Sequence, residues 1–160
     1  MIKVLIALII IAGFAAIGQS RNARVAARLS GLRKILDGLY IMESEIRGIC
    51  APLPVAFEAA GRQSDLFAAA AKYAGEESGE EAFCHALSSL SPEKAEAEIL
   101  RSFAAGLGAE DETGQLRNIA YCTERLSALC THLEGEAVRT GKLYTGSGIL
   151  TGILVVILLL

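Results

Sequence analysis

The chain has 160 residues, of which 52% are hydrophobic, with a mean hydropathy of +0.44 and a formal net charge of −3. That length suits one domain, and the apolar fraction exceeds what a water-facing domain carries, so the surplus must lie elsewhere. From Glu58 to Glu112 there are twelve acids against four bases, which argues against nucleic acid as a partner because phosphate binding needs a basic face.

The apolar surplus sits at the two ends. Val4 to Ile17 is uncharged and apolar; as a helix it is ~21 Å long, and Met1, Ile2 and a snorkelling Lys3 extend it towards a span. The alternative is a cleaved signal peptide, with Lys3 as its charged start and Ala15–Ala16 as small residues; it would leave an exported helical domain with a C-terminal tail anchor. No A-x-A cleavage site stands out after the run, so a transmembrane helix within residues 1–19 is the expectation.

Next comes a helix from about Arg21 to Arg47. Leu29, Leu32, Leu36, Leu39, Met42 and Ile46 step by threes and fours, a narrow stripe of coiled-coil type. "APLP" at residues 51–54 then breaks the period. Pro52 disfavours a helical Ala51, so the helix ends near Gly48, and Pro54 is tolerated only in the first turn of the next helix. The segment reads as a corner.

Short helices are predicted over Pro52 to Ala60, Ser64 to Ala74, Glu80 to Leu90 and Pro92 to Leu107. Ser64–Asp65 and Ser91–Pro92–Glu93 read as starts, Gly75 as a stop, and Gly106 and Gly108 as positive-φ closures. Leu116, Ile119, Thr123, Leu126, Cys130, Leu133, Ala137, Thr140 and Tyr144 form the stripe of the last soluble helix. No proline separates it from Leu143 to Leu160, an uncharged run of 18 residues, which as a helix reaches ~27 Å, close to a bilayer's hydrocarbon thickness.

The predicted organisation is therefore a transmembrane helix in 1–19, a helical domain in 20–142 and a second transmembrane helix in 143–160. The fold class is all-α: a membrane-anchored antiparallel helical bundle, two long stalk helices capped by several short ones. Between Gln19 and Arg47 there are six bases against three acids, and Arg139 and Lys142 precede the second apolar run. Basic flanks on the domain side of both spans place that domain in the cytoplasm.

No active site emerges. There is no C-x-x-C pair among Cys50, Cys84, Cys122 and Cys130. Cys130 and His132 diverge by about 200° on a helix, and Cys84 and His85 by about 100°, so neither pair can share an ion. There is no G-x-S-x-G, and Gly146–Ser147–Gly148 lacks the lysine of a P-loop. The turn Gly106 to Gly114 lacks the alternating oxygen ligands of an EF-hand. Glu43 and Glu45 diverge on their helix, which is wrong for a catalytic pair. No catalytic residue, metal, cofactor or small-molecule substrate is expected.

Three segments in series, "MESEIRGICAPLPVAFEAAG", "FAAGLGAEDETGQLRNIAYCTERL" and "GKLYTGSGILTGILVVILLL", resemble the stage III sporulation protein AB family of endospore-forming bacteria. The matching positions are Glu43, Glu45, Ile46, Gly48, Pro52, Leu53 and Ala56, then Phe103, Leu107, Gly108, Asp111 and Gln115; Met42 stands where the family commonly has Leu. Ser64 to Leu90 is the least matched part. The resemblance implies a non-enzymatic protein of the mother-cell membrane facing the forespore, within a secretion-like channel complex. It implies a cytoplasmic domain similar to the platform proteins of type II secretion and type IV pilus systems. The implied partners are the ATPase stage III sporulation protein AA and other membrane proteins of the complex. The expected partner-facing or corner residues are Pro52, Leu53, Pro54 and Phe57 with the acidic turn Glu110, Asp111 and Glu112, because that surface would lie farthest from the membrane.

Overall fold

The computed structural model of the chain describes the backbone of residues 2–108 and 111–159 and the side chains of residues 23–108 and 111–139. Among the described residues it is all-helical: α1 Ile2–Ile49, α2 Leu53–Gly61, α3 Asp65–Tyr73, α4 Gly79–Leu90, α5 Lys94–Ala105 and α6 Glu112–Leu159. Both expected transmembrane runs, in 1–19 and 143–160, lie outside the residues with described side chains. Among the described residues no helix is long and apolar enough to cross a membrane. The chain divides into two compact units, Met1–Leu29 with Thr131–Leu160, and Ser30–Cys130.

The first unit takes the start of α1 and the end of α6, with Leu29 and Leu133 among its buried side chains. The second holds the four short helices and the adjoining parts of α1 and α6. Along α1 the predicted stripe is buried at every position from Leu29 to Ile46. Among the described residues of α6 the buried apolar side chains are Ile119, Cys122, Leu126, Cys130 and Leu133. Cys122 thus takes the inward place expected of Thr123, which is half-buried and leaves its hydroxyl oxygen without a hydrogen-bond partner. The sequence spacing admits either step, and the small apolar thiol is the cheaper group to bury.

Each short helix contributes one phenylalanine to a common core: Phe57 from α2, Phe67 from α3, Phe83 from α4 and Phe103 from α5, all essentially inaccessible to solvent. Ring centroids lie 6.1 Å apart for Phe57–Phe67, 6.2 Å for Phe57–Phe83 and 5.7 Å for Phe67–Phe83; Phe103 meets Phe83 edge-on at 5.2 Å. Burial of one such ring stabilises by about 1.5–3 kcal/mol, and tilted or T-shaped pairs add about 0.5–1.5 kcal/mol. α2 packs on α3, α3 on α4 and α4 on α5. The Phe67 ring lies against α1 at Gly38, where a Cβ would stand 2.5 Å from its edge; only glycine admits that approach.

The ends of the short helices correct two sequence expectations. Ser91 does not cap α5. It closes α4 in the left-handed conformation, φ 46°, and Glu93 is the N-cap of α5. Pro92 disfavours a right-handed helical conformation at the residue before it, which helps explain why Ser91 leaves the helix there. Gly106 has φ −92°, so it does not supply a positive-φ closure; Gly108, at φ 79°, does. Gly106 is instead required by close approach, because a Cβ there would lie 2.5 Å from the Asn118 amide. That amide donates to the Phe103 carbonyl at 2.8 Å, satisfying an acceptor at the end of α5.

Candidate interaction surface

Four short helices give five connections between elements. Three of them, α1–α2, α3–α4 and α5–α6, are tied together by contacts. Leu53 opens α2, and its Cδ1 would lie 2.8 Å from a Cβ placed on Gly79, the first residue of α4. The same atom would lie 3.7 Å from a Cβ on Gly108, in the α5–α6 turn. Cys50, between α1 and α2, directs its thiol at Glu112 Oε2, 3.5 Å away at the start of α6. The structure therefore brings together the proline corner and the acidic turn, which lie some sixty residues apart in sequence.

The corner is built from backbone stereochemistry. α1 closes on Cys50, whose φ of 49° is left-handed although it is not glycine. Its N–H donates to the Ile46 carbonyl at 3.1 Å, and the Ala51 N–H donates to the Glu45 carbonyl at 3.3 Å. Pro52 is the N-cap of α2, and Pro54 sits in the first turn, where its missing N–H has no intrahelical role. The result is an apolar surface in water: Ile49 is 70% exposed, Val55 44%, and Pro52 and Pro54 are exposed between them.

Of the expected surface residues, Pro52 and Pro54 are exposed and Leu53 is half-buried as the pin of the corner. Phe57 is a correction. It is fully buried in the aromatic core, so it shapes the cap from within and presents nothing to a partner. Glu110 lies outside the described residues. Asp111 and Glu112 are exposed, but each also has local work. Asp111 Oδ1 accepts the Gly114 N–H at 2.9 Å, which makes it a cap of α6. Glu112 holds the Cys50 thiol, and that hydrogen bond, followed by the carboxylate's charge, raises the thiol pKa above its ordinary value.

The α3–α4 connection enlarges the acidic character. Glu76, Glu77, Glu80 and Glu81 lie there. Ser78 and Glu81 form a reciprocal capping box at the start of α4: the Ser78 hydroxyl accepts the Glu81 N–H at 3.3 Å, and Glu81 Oε2 accepts the Ser78 N–H at 3.2 Å. Hydrogen bonds from the Ser78 side chain, then from its backbone, hold the Glu81 carboxyl below its usual range. One oxygen of Glu77 is buried and lies 3.3 Å from His85 Nδ1 without hydrogen-bond geometry; His85 in turn stands edge-on to Tyr73 at 5.4 Å. The S-x-x-E signature of Ser78 to Glu81 was available in the sequence. Asn118 carried no sequence signal, because its role exists only once α5 and α6 are adjacent.

For chemistry, the inventory is short. Among the described residues no three His, Cys, Asp or Glu side chains gather as a metal-binding group. Cys122 and Cys130 are buried, Cys84 is half-buried and Cys50 is exposed. Burial pushes the Cys122 thiol up to about 12, against a smaller opposing pull from Arg125.

An all-α chain of two long helices and four short ones is the class these features define among the described residues. The chain belongs to the stage III sporulation protein AB family, whose pattern matches residues 3–160. It is also similar to a solved structure of "Stage III sporulation protein AB (SpoIIIAB)", with 25% sequence identity and a TM-score of 0.63, covering 70% of this chain and 97% of that one. No curated protein sequence matches it.

Proposed function

We propose that this chain is a non-enzymatic membrane platform of the secretion-like channel complex between mother cell and forespore, and that it couples a partner ATPase to the membrane channel. Its first and last helices anchor in the mother-cell membrane and pair antiparallel, and the helical domain, residues 20–142, faces the cytoplasm. The ATPase is stage III sporulation protein AA, and other membrane proteins of the complex surround the anchors. The observation that carries this is family membership along nearly the whole chain. The joined proline corner and acidic turn support it by giving an adaptor a surface to work with.

Affinity purification of the tagged full chain from membranes of sporulating cells, in mild detergent, tests the coupling. The ATPase is expected to co-purify in near-stoichiometric amount. Its absence, with other membrane proteins of the complex present, would leave a structural channel component without a motor-coupling role.

A further inference from the structure

The geometry points to a specific chemistry for whatever docks at this end of the domain: a protein segment with an apolar knob ringed by lysine or arginine. The inference rests on the platform reading only in supposing that a macromolecule docks here. Ile49, Pro52, Pro54 and Val55 form an exposed apolar strip that carries no charge. Around it, in the connections that Leu53 and Cys50 tie together, stand Glu76, Glu77, Glu80, Glu81, Asp111 and Glu112. Nearby bases are few: Lys72 at the end of α3, and Arg47, which is bonded to Glu43 at 2.6 Å.

Capping accounts for Glu81 and Asp111. Glu76 and Glu80 have no such role, make no ion pair among the described residues, and are exposed to water. An apolar centre within a charged rim is the anatomy of a protein docking site, and the rim's sign selects the partner. Anionic lipid headgroups and nucleic acid are repelled by it. A second copy of this chain meeting this face with the same face would set acid against acid. A basic-rimmed protein gains from both parts of the surface.

The test is a photoreactive benzoylphenylalanine placed at Ile49 or Val55 in the full chain in sporulating cells, with Arg62 at the other end of α2 as control. Cross-linked peptides are identified by mass spectrometry. The expected product at either of the first two positions joins a segment carrying an apolar residue and an excess of lysine and arginine. The combined change Glu76→Lys, Glu80→Lys and Glu112→Lys should lower its yield by at least about fivefold, while Glu98→Lys leaves it unchanged. A product with lipid, with a second copy of this chain, or with a neutral or acidic segment would overturn the inference, as would a yield indifferent to the charge reversal or no product at either position. The captured protein's identity separates the two claims. A basic segment from a protein other than the ATPase keeps this inference and leaves the motor coupling to be decided by co-purification; the ATPase captured through a neutral surface keeps the coupling and overturns this inference.

Discussion

Cys50 combines three properties that pull in different directions: it is exposed, its backbone is left-handed, and its thiol points at a carboxylate. Only the thiolate attacks alkylating agents. With its pKa raised by Glu112, Cys50 should react with iodoacetamide more slowly at pH 8 than an ordinary exposed thiol. Glu112→Gln removes the negative charge, lowers the thiol pKa and should speed the reaction severalfold, with the pH profile moving to lower pH. Equal rates in the two proteins would show that the contact is not maintained in solution. Cys122 should stay unreactive in the folded protein in either case, being buried with a pKa of about 12. At this scale the sequence was partly legible. The proline arithmetic at Pro52 and Pro54 was sufficient for the corner, because proline's limits are local. The left-handed turn at Cys50 carried no signal, since glycine or asparagine is the usual mark of that conformation and neither is present.

Helices show the same division between local and tertiary causes. The α1 stripe was readable because a step of three and four residues repeats from Leu29 to Ile46. The four short helices were found, but two of their ends were misread: Ser91 closes α4 and does not start α5, and Gly106 closes α5 without a positive φ. Ser91 had two neighbouring uses, ending α4 or starting α5, and Gly106 answers to Asn118, a residue of another helix. The α4 capping box supplies the prediction at this scale. Ser78→Ala removes both hydrogen bonds of the Ser78 hydroxyl, which accepts the Glu81 N–H and donates to Glu81 Oε2 at 2.9 Å, and should destabilise the domain by about 1 kcal/mol at neutral pH, lowering the melting temperature by a few degrees. Glu81 has a depressed folded-state pKa, so its contribution is present above the unfolded carboxyl's pKa and is lost as pH falls through the folded value. The difference between wild type and variant should therefore shrink in acid. A gap of the same size at pH 7 and pH 3 would show that the cap acts without the carboxylate.

For the whole molecule, the six-helix, all-α architecture was legible because apolar periodicity is helical nearly everywhere and no run alternates. The meeting of the proline corner with the acidic turn was foreseen only as a shared end of the domain; the contacts of Leu53 and Cys50 that join them depend on tertiary packing. Phe57 was misassigned to the surface because its position in sequence, beside exposed prolines, says nothing about which face of α2 turns inward. Membrane orientation yields its own prediction. A membrane-impermeant maleimide should label Cys50 in lysed sporulating cells and leave it unlabelled in intact ones. Labelling from outside would place the domain on the other face and favour the exported alternative.

The order in which the short helices touch has a kinetic consequence. α2 meets α3, α3 meets α4 and α4 meets α5, so these three contacts join immediate chain neighbours. Such local contacts close small loops, cost little entropy before they form and favour assembly within microseconds to milliseconds. At a synthesis rate of about 5–20 residues per second, the aromatic cluster has time to assemble while the end of α6 is still being translated.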